Sequence, residues 1–156
     1  MTPGHHYVTC GLDYVYLRNG YREVETPHGA GVAISDARGL HEAIALAVIE
    51  SPRPLRGQEV RFLRAQLKLS QDGLAHILRV RRGAVARWEG RPRAAIPGSA
   101  ETALRAFYAL KAGRNEVAEK VLHLLEEIDA LENDRADVRD AAFRETPSGW
   151  EHARAA

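Results

Sequence analysis

The sequence contains only one cysteine, Cys10, among its 156 residues. A single cysteine cannot form a disulfide within the chain, so a small scaffold held by internal disulfides is excluded. Cys10 lies close to His5 and His6, which are also possible metal ligands. A structural zinc site, however, usually needs four ligands in spaced pairs, and the sequence has no CxxC pair. We therefore expect no metal site and no cofactor, and we interpret these residues as polar side chains that lead into a first strand.

Long apolar runs are also missing from the sequence. No stretch approaches the roughly 20 residues that a transmembrane helix requires, so we expect no membrane partner. The N-terminal stretch MTPGHHYVTCG lacks the basic-then-apolar order of a secretion signal. These absences predict a cytoplasmic protein. Hydrophobic residues still make up 45% of the chain, which is enough for a core.

The net charge is small, at +1, but it is the sum of three unlike segments. Residues 1–52 carry three Arg and six Asp or Glu, a net −3. Residues 53–114 carry fourteen Lys or Arg and four Asp or Glu, a net +10, and residues 115–156 carry five and eleven, a net −6. A basic middle between acidic ends indicates that a polyanion binds the middle.

The fold class predicted from these segments is α+β. Residues 1–52 predict a small β-rich unit, because YVTC and DYVYLRNGYREVET are rich in Val and Tyr and the latter alternates apolar and polar residues. Asn19-Gly20 is a strong hairpin signal, and Pro27 and Gly29 predict a second turn before the strand GVAIS. One helix, LHEAIALAVIE, follows, and Ser51-Pro52-Arg53-Pro54 ends it.

The rest of the chain is predicted to be helical. Residues 53–112 predict an all-α domain whose first three helices cover about 57–67, 71–78 and 82–89. In residues 113–156, a longer C-terminal helix is predicted at about 115–132. The polar remainder is predicted to be a loose tail.

The break at residues 79–82 carries the strongest functional signal. Ser70 is a good N-cap, and Leu74, Ala75 and Leu78 form the apolar stripe of the first helix. The spacing of Val85 and Trp88 predicts that both face inward from the next helix. The side chains that point outward are then Arg82, Gly83, Ala84, Ala86 and Arg87. This pattern predicts a helix-turn-helix in which the second helix enters the major groove, where the planar fork of arginine matches O6 and N7 of guanine.

The residues LSQ at 69–71, LA at 74–75, Val80 and VARWEG at 85–90 resemble the XRE family of Cro- and phage-repressor-like helix-turn-helix proteins. The resemblance covers about residues 57–112. It implies that Gln71 contacts a phosphate, that Arg82, Gly83 and Arg87 face the bases, and that Ala84 can touch a thymine methyl. With the other arginines of the break, the expected DNA-binding residues are Gln71, Arg79, Arg81, Arg82, Gly83, Ala84 and Arg87.

Arg79 departs from the XRE pattern, which usually has glycine at this position as the left-handed residue that ends a helix. An arginine there costs roughly 1 kcal/mol of backbone strain, or else the turn has another shape. Contact of Arg79 with a phosphate would offset this cost.

The first two segments together look like the MqsA-type antitoxins and related zinc-finger regulators. In that family a β-rich N-terminal domain binds zinc or a toxin, and a C-terminal domain binds a palindromic operator as a dimer. Because the CxxC pairs are missing here, the resemblance implies a version without zinc. It leaves open whether residues 1–52 bind a cognate toxin.

The last predicted helix has an apolar seam of two heptads. The seam consists of Val117, Val121, Leu124, Ile128 and Leu131. It could pack back on its own domain or form a dimer interface. We favour a homodimer, because repressors of this kind need two half-sites for useful affinity.

These patterns lead to one main functional hypothesis and one alternative. The main hypothesis is a sequence-specific transcriptional regulator that binds double-stranded DNA, a dimeric autorepressor of the MqsA-like antitoxin type. The alternative is an antitoxin that mainly neutralises a toxin through residues 1–52. We do not expect an enzyme, because His28, Asp36, His41 and Glu42 have no nucleophile or metal-ligand spacing among them.

Overall fold

A computed structural model describes residues 4–113, 116 and 140–153 of the chain. Its strands are β1 (His5–His6), β2 (Val15–Leu17), β3 (Tyr21–Thr26), β4 (Gly29–Ile34), β5 (Ala141–Thr146) and β6 (Gly149–Ala153). Its helices are α1 (Ala37–Glu50), α2 (Gly57–Gln66), α3 (Gln71–Leu78), α4 (Arg82–Glu89) and α5 (Gly98–Lys111). The predicted α+β class is therefore confirmed. Within the described residues, no helix combines the length and apolar character needed to span a membrane.

The chain forms two compact units, which we call the sheet unit (residues 1–44 and 138–156) and the helical unit (residues 45–137). The predicted division between residues 52 and 53 does not coincide with them, because the last part of α1 belongs to the helical unit. The buried guanidinium of Arg105 explains this. It donates hydrogen bonds to the carbonyls of Ile49 at 2.6 Å and Ser51 at 2.8 Å, which ties the end of α1 to α5.

The C-terminal residues complete the sheet unit. They form the hairpin β5–β6, and β5 pairs in parallel with β2, so the sheet order is β1-β2-β5-β6. The predicted loose tail is therefore wrong for residues 141–153. Phe143, only 1% exposed, pairs with Leu17 and contributes to the core. The segment looked polar because the alternating Arg144 and Glu151 occupy positions exposed to solvent.

Asn19-Gly20 does not form the predicted hairpin. β2 pairs with β1 and β5, whereas β3 pairs with β4 in a separate two-stranded sheet. The Asn19 side chain instead pairs with the backbone of Glu145: Oδ1 accepts from its N–H at 2.6 Å, and Nδ2 donates to its carbonyl at 3.3 Å. Gly20 has φ 74°, and a Cβ there would lie 2.3 Å from the ring of Trp150. These long-range contacts replace the tight turn.

The second predicted turn is confirmed, and the same turn occurs twice. Thr26-Pro27-His28-Gly29 joins β3 to β4, and Thr146-Pro147-Ser148-Gly149 joins β5 to β6. In each turn the threonine Oγ1 donates to the glycine carbonyl, at 2.6 and 2.8 Å. Each glycine has a positive φ, 115° and 123°. The hairpins β3–β4 and β5–β6 thus use the same turn chemistry.

Helix boundaries agree closely with the sequence predictions. Asp36 caps α1, since its Oδ1 accepts from the N–H of Gly39 at 3.1 Å. The first strand is β1, at His5–His6, whereas the sequence predicted it directly afterwards, at YVTC. The predicted seam of Val117, Val121, Leu124, Ile128 and Leu131 lies outside the described residues.

Candidate nucleic-acid interface

Helix α3 has the predicted cap and the predicted buried face. The Oγ of Ser70 accepts from the N–H of Gly73 at 2.9 Å, which satisfies one of the free donors of the helix start. Leu74, Ala75 and Leu78 are buried, as their spacing predicts. Gln71 is the first residue of the helix and is half-buried. The cap therefore places Gln71 where α3 begins.

Arg79 ends α3 in the left-handed conformation, with φ 59° and ψ 38°. Its N–H donates to the carbonyl of His76 at 3.3 Å, and the N–H of Val80 donates to the carbonyl of Ala75 at 3.0 Å. This pair of bonds is the Schellman motif, which normally has glycine at the left-handed position. The arginine therefore occupies the strained glycine position, and its exposed side chain points away from the core.

Helix α4 has one buried face and one exposed face. Val85 is 0% exposed and Trp88 is half-buried, so this side faces the core. Of the remaining DNA-binding candidates, Arg81, Arg82, Gly83 and Arg87 are exposed and Ala84 is half-buried. Arg81 is the N-cap, and the structure shows no capping hydrogen bond from its side chain among the described residues. The start of α4 therefore combines exposed cations with the positive end of the helix dipole.

The Arg64–Glu89 ion pair fixes the end of α4. Its hydrogen bonds are bidentate, from Nε to Oε2 at 2.7 Å and from Nη2 to Oε1 at 2.8 Å. The Nη1 of Arg64 also donates to the carbonyl of Leu69 at 3.0 Å. The hydrogen bond with Glu89 raises the pKa of Arg64, so the guanidinium keeps its positive charge. The two residues are 25 positions apart in the chain, so this contact forms only when α2 and α4 pack together.

Gly57 allows α2 to approach the end of α4 closely. A Cβ at Gly57 would lie 1.8 Å from the carbonyl oxygen of Trp88 and 2.6 Å from that of Arg91. The N–H groups of Gly57 and Gln58 donate to the carbonyls of Ala94 at 3.2 Å and Pro92 at 3.1 Å. Sequence reasoning missed this contact, because a glycine that opens a helix gives no sign of the backbone beside it.

Three of the four carboxylates in the basic segment are buried and paired with arginines. The pairs are Arg56–Glu59, Arg64–Glu89 and Arg105–Glu101, at 2.9, 2.7 and 3.8 Å. Residues 53–113, all of which the structure describes, carry ten further Lys and Arg residues, nine of them exposed. Only Asp72 opposes them. The exposed surface of this segment is therefore more one-sided in charge than its composition suggests.

Two exposed arginines after α4 were missed at the level of sequence. Arg91 and Arg93 lie in the RPR stretch. The backbone of this stretch is held by the hydrogen bonds of Pro92 and Ala94 with α2. The signal that could have identified them is the proline between two arginines, in a stretch separated by one residue from the end of the predicted helix.

The N-terminal residues considered as metal ligands point to different partners. His6 stacks on Tyr16 and its Nε2 bonds the carbonyl of Asp13 at 2.9 Å, whereas the Cys10 thiol donates to the carbonyl of Tyr7 at 3.7 Å. Burial raises the pKa of Cys10, which disfavours the thiolate that metals bind. In the described part of the chain, no three His, Cys, Asp or Glu side chains converge on one point.

Comparison of the chain with models of protein families, with curated proteins and with solved structures found no match.

Proposed function

We propose that this protein is a sequence-specific transcriptional regulator that binds double-stranded DNA through α3 and α4. The observation that carries the proposal is the outward face of α4. It presents the exposed side chains of Arg81, Arg82 and Arg87, while Arg64–Glu89 and Gly57 hold the other side of the helix against α2. An exposed helix with a cationic face on a rigid support suits the major groove.

The positions of the side chains support separate roles in the proposed complex. Arg87 lies more than a turn beyond Arg82, so we assign both to base edges, with Arg87 deeper along the groove. Gln71 and Arg79 lie at helix ends, where a phosphate is the nearer target. Arg91 and Arg93 extend the cationic surface past the end of α4, and we assign them to phosphates as well.

The same residues support membership of the XRE family and a regulator of the MqsA-like antitoxin type. Arg79 adopts the left-handed geometry that the XRE pattern has at this position, although the side chain differs. We further propose that the protein binds a palindromic operator as a homodimer. This part depends on the sequence seam of Val117 to Leu131 alone.

The test is a set of binding isotherms on a duplex selected by the protein from randomised DNA and on a scrambled duplex. Arg87→Ala should weaken binding to the selected duplex by roughly 1–3 kcal/mol and leave binding to the scrambled duplex almost unchanged. Arg79→Ala should weaken both by similar factors and reduce the salt slope by about one unit. If the wild-type protein binds neither duplex, or if Arg87→Ala weakens both equally, the proposal fails.

A further inference from the structure

Asp72 is the one exposed carboxylate of residues 53–113. Its side chain is 65% exposed, whereas the other three carboxylates of the segment are buried in arginine pairs. Its Oδ1 lies 3.5 Å from the Nε of Arg82, whose side chain is 67% exposed. Asp72 is the second residue of α3 and Arg82 is the first residue of α4. The pair therefore joins the starts of the two helices that form the proposed DNA-binding face.

A carboxylate at this place opposes DNA binding in general. It would lie close to the phosphates that approach α3 and α4, and like charges repel. The ion pair contributes little to stability, because both partners are exposed to water. An acidic residue in the first turn does favour the helix dipole of α3. That role does not involve Arg82, whose Nε lies 3.5 Å from the carboxylate.

We propose that Asp72 is a positioning residue that directs Arg82 toward guanine and lowers affinity for DNA without the cognate sequence. This inference rests on the proposed function. A guanidinium group has two hydrogen-bonding edges, and the carboxylate lies on the Nε side of Arg82. The terminal Nη groups are then left to bond O6 and N7 of a base. A phosphate that competes for the Nε side of Arg82 is repelled by the carboxylate.

The strength of the Asp72–Arg82 attraction changes when a duplex covers this surface. Exclusion of water lowers the local dielectric constant, so the attraction between Asp72 and Arg82 becomes stronger in the complex than in the free protein. When Arg82 faces a guanine, this attraction is retained. When it faces another base, the arginine must leave the carboxylate to reach a phosphate, and binding weakens. The pair therefore discriminates between sequences, although it adds little to stability.

The experiment uses the full chain and three variants: Asp72→Asn, Arg82→Ala and the double variant. Asp72→Asn keeps the shape of the side chain but removes its charge. The matched control is Glu42→Gln, which removes the charge of another exposed arginine-paired carboxylate, the Arg38 pair at 3.3 Å in the sheet unit. Affinities are measured on the selected and scrambled duplexes over a range of salt concentrations. Thermal unfolding of each variant separates a change in α3 stability from a change in recognition.

Asp72→Asn should bind the scrambled duplex more tightly, with a salt slope steeper by about one unit, because Arg82 gains a phosphate. The ratio of selected to scrambled affinity should fall about tenfold, and the preference for guanine at one position should weaken. In the Arg82→Ala background, Asp72→Asn should leave this ratio unchanged. Glu42→Gln should leave the ratio at the wild-type value.

Three results would contradict the inference. An unchanged ratio in Asp72→Asn would show that the carboxylate does not affect discrimination. An equal fall of the ratio with and without Arg82 would show that Asp72 acts on the duplex directly. A fall of the ratio that is fully explained by a lower thermal stability of the variant would show that Asp72 only stabilises α3. In each case the wild-type protein still binds its selected duplex, whereas the proposed function itself fails if it binds none.

Discussion

Gly57→Ala should destabilise the helical unit strongly, although alanine is the better helix former. The new Cβ would lie 1.8 Å from the carbonyl oxygen of Trp88, whereas an ordinary contact needs at least 3.4 Å, so the two backbones must separate by 1.6 Å. That movement stretches the hydrogen bonds from Gly57 to Ala94 and from Gln58 to Pro92, now 3.2 and 3.1 Å long. A carbonyl oxygen of the main chain cannot rotate away as a side chain can.

The magnitude follows from these contacts. Overpacking costs typically 1–3 kcal/mol, and two weakened hydrogen bonds add about 1 kcal/mol each. The helix propensity of alanine returns at most about 1 kcal/mol. The net loss is about 3 kcal/mol, which is a large part of the stability of a domain. Urea unfolding followed by far-ultraviolet circular dichroism measures it, because most of the described helices belong to the helical unit.

Gly83→Ala provides the matched control. It is the same substitution in the first turn of α4, and among the described residues no atom outside its chain neighbours and the backbone of α4 lies within 4 Å of a Cβ placed there. It should therefore stabilise the helix by about 0.5–1 kcal/mol. Hydrogen exchange at Gly57 and Gln58 should accelerate only in the first variant. A Gly57→Ala protein as stable as Gly83→Ala would refute the close approach of α2 and α4.

Three other predictions concern separate contacts. Phe143→Ala should lower the free energy of unfolding of the sheet unit by about 3–4 kcal/mol in thermal unfolding, whereas Arg144→Ala, at an exposed position, should lower it little. Equal effects would mean that β5 is not part of the core. Glu89→Gln should lower the free energy of unfolding in urea by about 2 kcal/mol, because Arg64 keeps its charge but loses the carboxylate that balances it. An unchanged urea midpoint would contradict the ion pair. Burial lowers the pKa of His41 below its usual 6.5, so the unfolded chain binds a proton more readily and the free energy of unfolding should fall as the pH drops below 6.5. His41→Gln should remove this pH dependence. A wild-type free energy of unfolding that is constant across that pH range would refute the prediction.

The bounds of helices α2 to α4 could be predicted from sequence to within a residue. The expected helices at 71–78 and 82–89 match α3 and α4, and the expected helix at about 57–67 matches α2 to within one residue. Helices are predictable because their hydrogen bonds join residues four apart and because caps such as Ser70 act within one turn. The exposed face of α4 followed from the same periodicity, since Val85 identified the buried side.

The sheet unit was less predictable, because a strand does not specify its partner. The period-two pattern of DYVYL indicated a strand correctly, but the sequence could not show that β2 pairs with β5 across most of the chain. Asn19-Gly20 favours a tight turn locally, and the distant Glu145 and Trp150 overrode it. Local propensity is a weak influence when side chains that are far apart in sequence supply several contacts at once.

The amino-acid sequence by itself determined the helices of residues 57–111, the turn at Arg79 and the concentration of positive charge around it. These features depend on neighbours within a few residues or on composition. Only the tertiary structure decided which charges remain exposed. It buried Glu59, Glu89 and Glu101 against arginines up to 25 residues away and left Asp72 beside Arg82. The physical reason is that the burial of a charged side chain, and an ion pair between residues far apart in the chain, are set only when the helices have packed.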